Sequence, residues 1–251
     1  MGSSPNIEVL VGPEDLAQKA LQVLFDVVRE GIASRGVFFV AIPGGRTPRR
    51  FFEHLGQSVE ARALQWDKVH LFWTDERYVS PDHQDSNYKL AADTFLARIP
   101  IPGGNIHRVP TELPSSCDAV RSYEQTMREV FQVHGNQIPQ FDLIVLGMGT
   151  DGHTASLFPY SYAVTDTEAL VCTVHRPEGP CRITLTVPVL RAARRIVVLV
   201  SGQDKAQIVN QVLTGGTDPQ RYPIQVLWPV LDRVLWLVDQ KAASIWDDRY
   251  D

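Results

Sequence analysis

Short apolar runs that stop at a glycine or charged turn, then give way to a stretch with helical spacing, recur along the whole chain and constrain its fold most tightly. Residues 37–42 form one such run; Pro43-Gly44-Gly45 stops it, and Thr47-Pro48 supplies an N-cap and first-turn proline for a helix over 49–55. Ahead of it, 14–34 carries Leu16, Ala20, Val23, Leu24, Val27 and Val28 at helical spacing, with Pro13 at the start and Gly36 just past the end. The pattern returns at 69–73, which leads into Thr74-Asp75-Glu76-Arg77 and a helix over 86–98. It returns again at 141–146, which ends in Gly147-Met148-Gly149-Thr150-Asp151-Gly152-His153, and at 195–200, followed by a helix over 204–213. A helix over 118–133, a strand pair at 171–174 and 182–187 around the turn 177–180, a last strand at 233–238 and a helical tail from Gln240 complete the expectation. Strands alternating with helices of this length predict an α/β fold with a mostly parallel central sheet covered on both faces. No fixed-period repeat or long linker interrupts the pattern, so one domain over 1–251 is expected.

Composition removes several functions. With 251 residues, 44% of them hydrophobic, the chain can bury a core without disulfides or a structural metal. Its 24 basic and 29 acidic residues give a net charge of −5, against the positive footprint of a nucleic-acid binder, so no nucleic acid is expected. Cys117, Cys172 and Cys181 cannot all pair and show no metal-ligand spacing, which fits a reducing, cytoplasmic compartment. The apolar runs are far shorter than the roughly 20 residues that span a bilayer. Residues 1–6 lack a signal-peptide pattern, and Asn6 stands where an acylation signal takes Ser or Thr, so neither export nor a membrane anchor is expected.

In open parallel sheets, ligands bind beyond the carboxyl ends of the strands, and the unusual polar residues of this chain concentrate at those ends. Gly44-Gly45-Arg46-Thr47 suits an anion, since glycines admit a ligand to the backbone and the following helix points N–H groups at it; a plain tight turn is the other reading. Gly147-Met148-Gly149-Thr150-Asp151-Gly152 matches G-x-G-x-x-G, yet a polar Asp-Gly-His-Thr-Ala-Ser segment follows where a dinucleotide site needs a plain helix. His153, in that glycine-flanked loop beside Asp151, has the setting of a general base oriented by a carboxylate. Of the run Asp75-Glu76-Arg77, Arg77 could hold an oxyanion or phosphate and Asp75 a sugar hydroxyl, with Asn87 adding an amide; an ordinary solvated charge run is the alternative. Arg182 and Lys205 are candidate phosphate cations or surface residues. No two histidines fall at ligand spacing, so no metal is expected.

Taken together, five stretches resemble the 6-phosphogluconolactonase family: Gly44-Gly45-Arg46-Thr47-Pro48; Thr74 to Val79 with Ser86-Asn87-Tyr88; Gly147 to Pro159; Arg182-Ile183-Thr184-Leu185-Thr186; and Gly202-Gln203-Asp204-Lys205-Ala206. The resemblance implies a three-layer α/β/α fold shared with glucosamine-6-phosphate deaminases. It also implies hydrolysis of 6-phospho-D-glucono-1,5-lactone to 6-phospho-D-gluconate by a cytoplasmic monomer without a cofactor. In that scheme His153 activates water, Asp151 supports it, and Gly149 amides or Arg77 hold the oxyanion. Gly44, Gly45, Thr47, Arg182 and Lys205 hold the phosphate, and Arg46 stands where the family often has Ser. The deaminases carry Asn-Glu-Pro after their Asp-Gly-His, whereas this chain has Leu157-Phe158-Pro159, and Arg77 replaces their usual Tyr. A deaminase and a non-catalytic sugar-phosphate sensor are the alternatives.

Overall fold

The structure is a computed structural model that describes residues 5–246. Residues 1–4, part of the segment read for export and acylation signals, and 247–251, the end of the expected tail, lie outside the described residues.

Seven parallel strands form the central sheet: β1 (Asn6–Leu10), β2 (Phe38–Ile42), β3 (Val69–Trp73), β5 (Ile106–His107), β6 (Leu143–Gly147), β9 (Arg195–Val200) and β10 (Val234–Asp239). Their spatial order is β1-β10-β9-β6-β2-β3-β5. A three-stranded antiparallel sheet, β4 (Asp75–Arg77), β8 (Arg182–Leu185) and β7 (Val171–Val174), stands beside it. The inner strands are largely apolar because both faces are covered, apart from His70 in β3, Arg195 at the start of β9 and Asp239 at the end of β10. In β6, Leu143 and Val145 pack into one cluster with Leu16, Phe51, Phe52 and Phe95, while Ile144 and Leu146 pack into the other with Tyr123, Met127, Val189 and Val209. The first cluster is roofed by α1 (Pro13–Arg35), α2 (Arg46–Gln57) and α4 (Asn87–Thr94), the second by α5 (Ser116–Phe131), α6 (Val187–Ala192) and α7 (Ala206–Thr214). The three-layer α/β/α architecture is thus present. A one-turn α3 (Val59–Arg62) follows α2.

Several expectations need correction. Residues 75–77, read as a charged loop, form β4, with Asp75 opposite Thr184 and Arg77 opposite Arg182. Thr47 is not the cap of α2: the helix starts at Arg46, and Gly45, at φ 107°, is the N-cap without a side-chain bond. The helix expected over 86–98 ends at Thr94 and resumes as a short 3-10 turn. The tail from Gln240 is a series of turns; one helical bond from Ala243 N–H to the Asp239 carbonyl gives way to three-residue turns. β1 was absent from the sequence reading, since an edge strand with Asn6 and Val9 exposed lacks a continuous apolar run.

Candidate active site

The carboxyl ends of β9, β6, β2 and β3 and the small sheet enclose an open cavity of about 510 Å³. Of the residues singled out from sequence, His153, Asp75, Arg77, Gly44, Gly45, Arg46, Thr47, Asn87, Gly149, Arg182 and Lys205 all line it. Asp151 enters through His153: its Oδ1 lies 2.5 Å from the imidazole Nδ1 and also accepts the His153 backbone N–H at 3.1 Å. Burial pushes the Asp151 carboxyl up, but the hydrogen bonds and charge of His153 outweigh it and hold the group down at about 2. The carboxylate therefore stays ionised and fixes the ring through Nδ1, with the half-buried imidazole facing the cavity.

Glycine is required at 149 for space. A Cβ there would stand 2.1 Å from Nδ1 of His153 and 2.6 Å from Oδ1 of Asp151. The Gly149 N–H donates to the His153 carbonyl at 2.8 Å, so of the two oxyanion groups implied by the resemblance, Gly149 amides or Arg77, this amide is already committed to closing the loop. Phe158 packs against the imidazole, 4.7 Å away centroid to centroid and tilted by 45°, and the guanidinium of Arg176 sits 4.5 Å above Phe158.

Asp75 is 8% exposed and held on several sides. Its Oδ2 accepts the Ser156 hydroxyl at 2.7 Å, and Asn87 Nδ2 donates to its backbone carbonyl at 2.8 Å. Gly44 makes this possible, because a Cβ on it would meet Oδ1 of Asn87 at 1.7 Å. Glu76 faces the opposite way, as strand alternation demands. Its carboxylate accepts the N–H groups of Arg77, Asn87 and Tyr88 and the Ser86 hydroxyl, anchoring the start of α4.

Cations outnumber carboxylates along the cavity wall among the described residues. Arg77 and Arg182 face each other across β4 and β8, and Nε of the first and Nη1 of the second are buried without a hydrogen-bond partner among the described residues. Burial, reinforced by Arg77 and Arg176, lowers the pKa of Arg182. Lys205 is lowered by burial and by Arg46, against the opposing pull of Asp204 and Asp151. Arg46 itself stands at the rim, its side chain 90% exposed and paired with Asp204 at 3.2 Å. The first N–H groups of α2, at Arg46 and Thr47, have no intrahelical partner and lie at the positive end of the helix dipole.

Sequence reasoning gave no role to Ser156 or Arg176. Ser156 lay inside a matched motif, and the Asp75 contact explains it; Arg176 precedes a Pro/Gly turn and carries no local signal, since only the β7–β8 hairpin brings it to the cavity. Among the described residues, no group of three or more His, Cys, Asp or Glu could hold a metal ion, and no helix is long and apolar enough to cross a membrane.

A family profile described as glucosamine-6-phosphate isomerases/6-phosphogluconolactonase matches residues 12–236. The chain belongs to this family. A 6-phosphogluconolactonase of Synechocystis sp. is 39% identical over 241 residues, covering 96% of this chain and 98% of that protein. The crystal structure of 6-phosphogluconolactonase from Leishmania guyanensis superposes with a TM-score of 0.82 at 27% identity, covering 98% of this chain and 100% of that one. A monomeric glucosamine-6-phosphate deaminase superposes with a TM-score of 0.80 at 20% identity over 96% of this chain and 99% of that one, a likeness of fold alone. The fold is thus common to proteins of both names, and what distinguishes a site lies in the residues around the imidazole. In this chain Phe158 packs on His153, and a phenyl ring transfers no proton.

Proposed function

We propose that the chain is a carboxylic ester hydrolase that converts 6-phospho-D-glucono-1,5-lactone to 6-phospho-D-gluconate in the oxidative pentose phosphate pathway. The observation that carries this reading is the Asp151–His153 pair at 2.5 Å, with Phe158 packed against the imidazole and the cavity around it lined by cations. The phosphate dianion is held by Arg182, Lys205 and the α2 N-terminus around Gly44, Gly45 and Thr47, with Arg46 at the rim. Anchored at that end, the lactone presents its C1 carbonyl to His153.

The Nε2 of His153 takes a proton from water as the water oxygen bonds to C1, and the carbonyl electrons move onto oxygen. Arg77 is the group proposed to hold that oxyanion, since the Gly149 amide is already engaged. When the intermediate collapses, the bond from C1 to the ring oxygen breaks and the His153 proton passes to that oxygen, leaving a hydroxyl and a carboxylic acid that ionises in solution. Asp151 supports the imidazolium through both steps. Asp75, held by Ser156 and Asn87, is placed to accept a sugar hydroxyl.

This chain supplies each group the chemistry uses, which supports a single-domain monomer, and Cys117, Cys172 and Cys181 as free thiols fit a reducing cytoplasm. Purified protein fed 6-phosphogluconolactone should release acid faster than spontaneous hydrolysis, and fed glucosamine 6-phosphate should release no ammonia. Ammonia from the second substrate would make it a deaminase; activity on neither would make it a sensor.

A further inference from the structure

We propose that Asp239, outside the sequence motifs and absent from the cavity wall, is the positioning residue for Lys205. The inference rests on the lactonase reading for the identity of the phosphate. The Asp239 side chain is buried, 1% exposed, at the end of β10. The β10–β9 register, in which Val238 pairs with Val200, brings it alongside Ser201 at the neighbouring strand end. Its carboxylate accepts the Ser201 hydroxyl at 2.5 Å, the Gly202 N–H at 3.1 Å through both oxygens, and the Ala242 N–H at 2.8 Å.

Those bonds fix the turn that carries the cation. Gly202 sits at φ 107° and its carbonyl accepts the Lys205 N–H at 3.0 Å, so the geometry of Gly202 sets where the lysine leaves the backbone. The Gln203 side chain adds a second tie, donating to the Ser244 hydroxyl at 3.0 Å in the turns that follow β10. The turns after β10 therefore act as a brace for the phosphate end of the cavity. An ionised carboxylate accepts hydrogen bonds on both oxygens, whereas an amide of the same shape must turn its NH2 toward one of these donors. Asp239→Asn thus preserves volume and frees the turn.

The test compares wild type, Asp239→Asn, Lys205→Ala and the double variant in kcat, KM for 6-phosphogluconolactone, and calorimetric Kd for 6-phosphogluconate. Asp239→Asn should raise KM and Kd about 10-fold with kcat within about threefold, and should add nothing in the Lys205→Ala background, as expected of residues acting through one contact. An unchanged KM, a fall confined to kcat, or an effect that adds to Lys205→Ala overturns the assignment. Should Asp239→Asn not fold, Ser201→Ala removes a single donor and should raise KM about threefold only when Lys205 is present; no change would overturn the assignment equally. Weakened 6-phosphogluconate binding in a protein that turns over no lactone would uphold the brace and reject the reaction.

Discussion

Replacing Gly149 by alanine tests the central geometry directly. The added Cβ would lie 2.1 Å from Nδ1 and 2.2 Å from Cε1 of His153, and 2.6 Å from Oδ1 of Asp151. Non-bonded carbon contacts settle near about 3.5 Å, so the ring must retreat by roughly 1 Å or more. Phe158 packs against the ring at 4.7 Å, centroid to centroid, and Asp151 holds Nδ1 at 2.5 Å, so retreat of the ring disturbs both contacts. A misplacement of about 1 Å in a reacting group costs on the order of 100-fold in rate, near 2.7 kcal/mol of barrier. The backbone at 149 is outside the left-handed region, so alanine adds crowding without φ strain. Crowding of about 1–3 kcal/mol lowers Tm by about 2–10 °C in a domain of this size, leaving a folded protein to assay. Acid release at saturating lactone, corrected for spontaneous hydrolysis, should show kcat down about 100-fold with KM within about threefold, because the phosphate ligands sit on other loops. A folded variant with near-normal kcat would refute the placement of the imidazole and its role together.

Three further outcomes follow from the same contacts. Asp151→Asn removes the ionised partner that holds the imidazole through Nδ1, so kcat should fall about 100-fold with KM within about threefold; an unchanged kcat would detach Asp151 from His153. Glu76→Gln turns an NH2 toward one of four donors at the start of α4 and should cost about 2–3 kcal/mol, a Tm drop of about 4–12 °C by calorimetry. Burial, then the neighbouring His70 at 2.9 Å, lowers His107 from 6.5 to about 4. The unfolded chain takes up that proton first as pH falls, so this contribution to stability is intact above pH 6.5 and erodes between there and about pH 4. Solvent access to the pair limits the loss to about 2 kcal/mol, and His107→Phe should flatten the denaturation midpoint across that window.

The parallel strands β2, β3, β6 and β9 were legible because burial on both faces writes a run that is almost wholly apolar, and the loops at their ends stood out against it. β4 was not: three charged residues make no strand signal, and pairing with β8 more than 100 positions away creates it. That pairing also decides what composition could not. Asp75 and Glu76 are indistinguishable in a charge run, yet alternation along β4 sends the first toward the cavity and the second under α4. The Gly149 amide was undecided for a related reason. A glycine beside a candidate base reads equally as a donor or as an absence of bulk, and only the 2.8 Å bond to the His153 carbonyl separates the two.

Charge is where the whole chain and the site diverge most. The protein carries −5 overall, yet among the described residues the cavity wall holds Arg46, Arg50, Arg77, Arg176, Arg182 and Lys205 against Asp75 and Asp204 as carboxylates. Arg46 and Arg50 spend their charge on Asp204 and Glu14 at the rim, so the inner field comes from the three other arginines and the lysine. The β4–β8 ladder forces Arg77 and Arg182 opposite one another, where like charge and desolvation both work against the charged Arg182. In the proposed reaction a dianion entering that field would relieve the repulsion, and an oxyanion forming at C1 would meet cations whose places are already set by the sheet. The backbone hydrogen bonds of a small sheet thereby hold in place an arrangement that its side chains alone would disperse, which is the electrostatic preorganisation that ester hydrolysis requires.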